Sequence, residues 1–183
     1  MGTTANFQVL RHAVIDASVA DRWKTALLEW EVISVEEHPT SEGECVCGQT
    51  NLLWMYTIAN DANGRTLFPI GSTCVNHFGR TDLNRQITVF RKLLLVRDAA
   101  KSGSPITMDT NFFSRAALSF LYEEGVFTPD AYNFGDGWND YDFLLKMFGV
   151  RDKDAITSKQ RWKIRKLIDL KITPFVLTDS RLG

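Results

Sequence analysis

All three cysteines of this chain fall in one short arrangement, and that arrangement constrains what the chain can fold into. Cys45 and Cys47 sit in Glu44-Cys45-Val46-Cys47-Gly48, and Cys74 in Gly71-Ser72-Thr73-Cys74-Val75-Asn76-His77. The pattern is C-x-C-G, a gap of 26 residues, then C-x-x-H. Three thiolates and one imidazole form the ligand set of a closed tetrahedral zinc site. Cys45, Cys47, Cys74 and His77 are therefore predicted to hold one structural Zn2+. His38, seven residues before Cys45, is the alternative fourth ligand. The competing readings are buried free cysteines, a common state of this residue type, and a two-iron cluster on the same four side chains.

The residues between the cysteine pairs read as a hairpin. Leu52 to Ala59 and Thr66 to Phe68 are strand-like, the second ending at Pro69, and Asn63-Gly64 supplies the positive-φ positions of the turn between them. A helix can begin at Ser72, with Ser72 or Thr73 as its cap. Upstream, Val19, Trp23, Ala26 and Leu27 predict a helix over residues 17–28, and Trp30 to Glu36 predicts a strand. Downstream the pattern is helical. Leu83, Ile87, Phe90 and Leu94 mark a helix over 83–100 capped by Thr81. Phe112, Ala116, Leu118 or Ser119, and Tyr122 mark one over 108–124 closed by Gly125. Residues 141–148 form a third, closed by Gly149. Thr157 and Gln160 form a capping box opening the last helix, which runs to about Leu170 before Pro174. The expected class is α+β, with a zinc-binding hairpin module in residues 1–80 and a helical region in 81–183 that shares its core.

Charge divides the same way. Residues 1–80 carry 5 Lys/Arg against 9 Asp/Glu, and residues 81–183 carry 16 against 13. The one concentrated basic stretch is the last helix. Lys159, Lys163 and Lys166 share a face, Arg161 and Arg165 lie beside them, Trp162 is available to stack, and Ile164, Leu167 and Ile168 face inward. The alternative is a solvated face of ordinary composition. The aromatic-acidic stretch from Phe134 to Asp142 offers Trp138 as an interface anchor, or else rings turned inward over a small core. No apolar run approaches the roughly 20 residues of a membrane span. Met1-Gly2-Thr3-Thr4-Ala5-Asn6 carries neither a secretory pattern nor the Ser or Thr that myristoylation needs at position 6. Cysteines confined to one cluster suit a reducing compartment, so a cytoplasmic protein is expected. A catalytic zinc needs an open coordination position, which a fourth protein ligand closes, and no catalytic residue is assigned.

A tight C-x-C-G turn, a hairpin and a ligand pair on the first turn of a helix resemble the treble-clef zinc finger, with one residue between the first cysteines where the common knuckle has two. Small Cys3His iron–sulfur domains are similar in ligand set but place their second pair much closer to the first. Nucleases on the treble-clef scaffold are similar at Asn76-His77, where their histidine is catalytic. Over residues 29–172 the chain resembles a group of bacterial and phage proteins. The likeness is carried by Glu29-Trp30-Glu31-Val32, by Cys45-Val46-Cys47-Gly48, and by Ile58-Ala59-Asn60 with Asn63-Gly64. It continues through Ile70-Gly71-Ser72-Thr73-Cys74-Val75-Asn76-His77-Phe78, Tyr141-Asp142-Phe143 and Thr157-Ser158-Lys159-Gln160. It implies this architecture and a mobile-element setting. Two functions are expected. The first is a non-enzymatic, zinc-stabilised protein associating with nucleic acid or a nucleoprotein through Lys159, Arg161, Trp162, Lys163, Arg165 and Lys166. The alternative is a protein inhibitor or adaptor, anti-CRISPR-like in kind, acting through Trp138 and the acidic first half.

Overall fold

Strand-forming residues at Trp30–Glu37 (β1), Trp54–Asn60 (β2) and Thr66–Ile70 (β3) pair into an antiparallel sheet of order β1-β2-β3. The structure, a computed structural model, describes residues 4–183. Residues 1–3 of the N-terminal segment read above for targeting signals lie outside the described residues. The fold is mixed helix and small antiparallel sheet, as the sequence predicts. Among the described residues, no helix is long and apolar enough to cross a membrane.

The chain divides into two compact units, one reaching to Phe90 and including Ser180–Gly183, the other Arg91–Asp179. In the first, α1 (Thr4–Ala17) precedes a single turn, α2 (Trp23–Ala26), and then the sheet, α3 (Ser72–Asn76) and the start of α4 (Thr81–Ser102). The helix expected over 17–28 is displaced. Helical periodicity lies earlier, with Leu10 and Val14 fully buried, while Val19 is 66% exposed. The helix stops because Ser18 Oγ donates to the Val14 carbonyl and both Val19 N and Ala20 N donate to the Glu29 carboxylate, each at 2.8 Å. Such side-chain partners give the backbone an alternative to continuing the helix.

Glu29 holds this junction further. Asn60 Nδ2 donates to it at 2.7 Å, and the buried Asn60 Oδ1 accepts from Ala62 N and Asn63 N; of the expected positive-φ pair Asn63-Gly64 only Gly64 takes that conformation, at φ +73°, because the Asn60 side chain shapes the rest of the turn. The hydrogen bond from Asn60 is the largest influence holding the Glu29 carboxyl below its usual range, with Val19 N and Ala20 N adding to it. One of the glutamates of the acidic half is thus committed to structure. A β-bulge between Val32 and Ser34 leaves Ile33 39% exposed and puts Val32 and Val35 both inside. That shift explains why strict alternation along β1 yields no clean face.

The second unit contains the rest of α4, then α5 (Arg115–Glu123), α6 (Gly137–Gly149), α7 (Ser158–Leu167) and α8 (Thr173–Thr178). Leu94, Phe113, Leu118, Leu121, Leu144 and Ile172 are among its buried side chains. The helix expected from Met108 begins only at Arg115. Asp109 Oδ1 accepts from Asn111 N in a local turn, Lys92 Nζ donates to the Thr110 and Asn111 carbonyls, and Ser114 caps α5 through Ala117 N. The buried face of α5 is accordingly Ala117, Leu118 and Leu121, and Tyr122 turns outward. Helix α6 starts earlier than expected, at Gly137, because Asp136 caps it by accepting from Trp138 N.

The Thr157–Gln160 capping box forms as predicted. Pro174 does not end the last helix. The backbone widens into a π turn over Ile168–Ile172 and continues as α8 with Pro174 in its first turn. A proline lacks the N–H that would reach back four residues, and a π turn absorbs that loss without breaking the rod.

Gly137 sits where no side chain fits: a Cβ there would lie 1.8 Å from the Phe127 carbonyl oxygen. Gly137→Ala is expected to cost about 3 kcal/mol or more and to lower the midpoint of thermal unfolding by on the order of 10 °C, measured by circular dichroism.

Candidate functional site

The C-x-C-G turn is held by the backbone before any metal is considered. Gly43 and Leu52 exchange two hydrogen bonds across its base, Cys45 N donates to the Gln49 carbonyl, and Gly48 N to the Cys45 carbonyl, with Gly48 at φ +81°. Val46 N donates to the Pro69 carbonyl at 2.9 Å, which ties the turn to β3. Helix α3 then begins just after β3, with Gly71 at its cap and no side-chain cap from Ser72 or Thr73.

These anchors bring Cys45, Cys47 and Cys74 together. Their sulfurs lie within 4.8 Å of one another, at 3.5 Å for Cys45–Cys74 and 3.2 Å for Cys74–Cys47, and each residue is at most 4% exposed. Such a group can hold a metal ion. Tetrahedral zinc with bonds of about 2.3 Å sets its sulfurs about 3.8 Å apart, so these two pairs would open by roughly 0.3 and 0.6 Å to receive it. The hydrogen bond from Cys74 is the main influence lowering the Cys45 thiol to about 5, against burial, with the backbone N–H of Cys47 and of Gly71 assisting. Cys74, as donor, is pushed up by the same bond and by burial. A thiolate already favoured in a buried turn is a ready ligand.

His77 is outside that trio. It is exposed at the end of α3, its ring centroid 5.1 Å from that of Phe7, and it lines with Cys47 and Cys74 one small cavity. His38 is occupied elsewhere, its Nδ1 accepting from Thr40 N and Glu42 N. Phe7, against His77, was missed in the sequence because α1 was.

In the second unit, α7 presents Lys159, Trp162, Lys163 and Lys166 along one side of a cleft of about 780 Å³. Ile164, Leu167 and Ile168 are buried, as predicted. The basic residues are not equivalent. Lys163 pairs with Asp140 at 3.0 Å and lies over the Phe143 ring. Arg161 donates to the carbonyls of Ile156 and Lys153. Lys159 and Arg165 have no ion-pair partner among the described residues, and Lys166 lies over the neighbouring Trp162 ring. The free positive charge of the helix is therefore Lys159, Arg165 and Lys166, with Trp162 59% exposed among them.

The network behind the cleft was not foreseen. Asp140 is buried, and Lys171 Nζ meets it at 2.9 Å and Asp130 at 2.7 Å. Burial pushes the Asp140 carboxyl up, but hydrogen bonds from Lys171, Asn133 and Lys163 outweigh it and hold the group below the usual carboxylate range. Asp130 is lowered chiefly by Lys171. The Asp130–Asn133 spacing, an Asx-turn signal after Pro129, was the available hint. Trp138 is 48% exposed and packs edge-on against Tyr122 and Tyr141, a surface aromatic cluster that does not line the cleft.

A scan of family models finds none that matches this chain, and neither the curated proteins nor the solved structures yield a match.

Because Asp130 and Asp140 have depressed folded-state values, their contribution to stability is present above an unfolded carboxylate value of about 4 and is lost as pH falls through the lower folded values. Lys171→Met removes one partner of a buried pair and should cost about 3 kcal/mol at pH 7. Acid titration of stability should show Asp140→Asn with a flatter acid limb than the natural chain.

Proposed function

We propose that this chain is a non-enzymatic, metal-stabilised binding protein that associates with nucleic acid or a nucleoprotein. The single observation that carries the reading is the exposed face of α7, where Lys159 and Lys166 flank Trp162 at the mouth of a cleft. Cations for phosphates beside an exposed flat ring are the pairing that nucleic-acid strands meet on proteins. Lys163 and Arg161 support the helix rather than the ligand. The proposed metal is one zinc ion on Cys45, Cys47 and Cys74, with His77 turning in from α3 as the fourth ligand. A turn, hairpin and short helix in this order support a treble-clef-like module. The proposed setting is a bacterial or phage protein of the cytoplasm.

The surface cluster of Tyr122, Trp138 and Tyr141 favours a second reading, a protein inhibitor or adaptor docking through those rings. An anti-CRISPR-like counter-defence protein is one form of it.

Metal and function are tested separately. Elemental analysis of protein expressed with zinc is expected to give one zinc per chain. Chelation or Cys47→Ser should lower the thermal midpoint by more than about 10 °C, since metal binding contributes to folding. A visible iron absorption band would move the assignment to a two-iron cluster, and no metal at all would overturn it. His77→Ala should weaken zinc affinity while the cysteine ligands remain.

Titration with single- and double-stranded DNA and RNA at two salt concentrations tests association. Removing Lys159, Arg165 and Lys166 together should reduce the salt slope by about 2 to 3. Absence of binding even at low salt would overturn the nucleic-acid reading in favour of the protein partner.

A further inference from the structure

We infer that the cleft between α7, the π turn and the 128–136 loop is a seat for unpaired nucleotides, so that the ligand is a single strand rather than a duplex. This rests on the nucleic-acid reading and narrows it.

The first argument is shape. A duplex offers phosphates along a convex ridge and hides its base faces by stacking, so a flat basic helix face suffices to hold it. Here the basic face borders a concave site of about 780 Å³, wide enough for a nucleobase, and its walls are rings and aliphatic chains. Trp162, Tyr132, Phe143 and Leu170 line it, and three of them are largely open to solvent: Tyr132 at 84%, Leu170 at 66% and Trp162 at 59%. Flat rings beside a backbone-tracking charge give sequence-tolerant stacking for bases that are not already stacked.

Charge is the second argument. Four lysines against two aspartates line the cleft, a net of +2. Lys163 and Lys171 are consumed by Asp140 and Asp130, so the surplus resides on Lys159 and Lys166. Both lie on the same helix side as Trp162, at spacings of three and four residues from it. Phosphates are thereby placed at the rim, and the interior is left for the base.

Rigidity is the third. Tyr132 stands on a loop whose backbone is tied down: its own N–H donates to Asp130 Oδ1 at 2.7 Å, Asn133 Nδ2 donates to the Thr128 carbonyl and to Asp140, and Lys171 Nζ donates to the Thr128 carbonyl at 2.8 Å. The π turn sets consecutive residues to separate tasks, Leu170 lining the cleft as an open apolar wall and Lys171 clasping the two carboxylates. Single π turns recur at functional sites because they re-aim side chains in this way. A loop whose backbone is already fixed loses little backbone freedom on contact, which favours binding.

The test is fluorescence anisotropy of the full chain with labelled oligothymidylate of about twelve nucleotides, and with the duplex formed from it and its complement. Single strand should bind at least about 10-fold tighter than duplex. Trp162→Ala should weaken single-strand binding by about 10-fold with duplex binding little changed, and Trp162→Phe should restore most of the loss. Trp162 is exposed, so these variants should keep the natural circular dichroism spectrum and thermal midpoint. The Lys159→Ala, Lys166→Ala pair should lower the single-strand salt slope by about 1.4. Duplex binding as tight as single strand, or a Trp162→Ala variant unchanged toward single strand, overturns the inference while leaving nucleic-acid association standing. Poly-glutamate displacing the strand equally well per charge also overturns it, because the cleft would then read charge alone. Thymidine monophosphate binding as tightly as the oligomer overturns the assignment to a strand. No binding to any nucleic acid at low salt overturns both readings.

Discussion

Asp140 and Asn60, 1% exposed each, carry polar atoms that bulk water cannot satisfy, and each unit is arranged so that protein groups do so instead. An unpaired buried polar group costs on the order of a few kcal/mol, and a buried charge more. In the second unit this draws Lys171 from the π turn, Lys163 from α7 and Asn133 from the preceding loop onto one carboxylate. In the first, Asn60 joins the end of β2 to Glu29, and Glu29 in turn holds the bend after α1. Loops that look irregular by composition are therefore fixed by a small number of buried polar groups and the protein partners drawn onto them.

That requirement also sorts the basic residues of α7. A run of lysines and arginines on one helix reads as a uniform electrostatic face, but a cation facing a buried carboxylate has little charge left to offer a ligand. Lys163 is the clearest case: it has the right residue type and the right helical position, and it is spent on Asp140. What remains is narrower and more directional, with Lys159 and Lys166 at the rim around Trp162. A cleft with that distribution differs chemically from a basic patch, since its unpaired lysines stand at the rim and rings and aliphatic chains line the rest.

The cysteine trio follows a different logic. Its sulfurs are buried and adjacent because backbone hydrogen bonds close the Cys45–Gly48 turn against β3 and start α3 immediately afterwards. Two of its sulfur pairs lie 3.5 and 3.2 Å apart, and sulfur is a weak hydrogen-bonding partner, so those contacts by themselves hold the three together only loosely. The trio can hold a metal ion, which would link the sheet's approach turn to the helix that follows.

Much of this was legible in the sequence. The cysteine spacing announced a cluster, Asn63-Gly64 the hairpin turn, and Thr157 with Gln160 the start of α7, because each depends on residues close in the chain. Gly125 closes α5 at φ +71° for the same local reason. Periodicity misled where a distant side chain took over the backbone: Glu29 ended α1 and displaced the helix expected at 17–28, and Asp109 with Lys92 delayed α5. The division of α7 into paired and unpaired cations, the identity of Asp140 as the partner of Lys163, and the cleft beside Tyr132 were decided only by tertiary structure. Each requires residues some 20 to 40 positions apart in the chain to meet, and local sequence does not encode that distance.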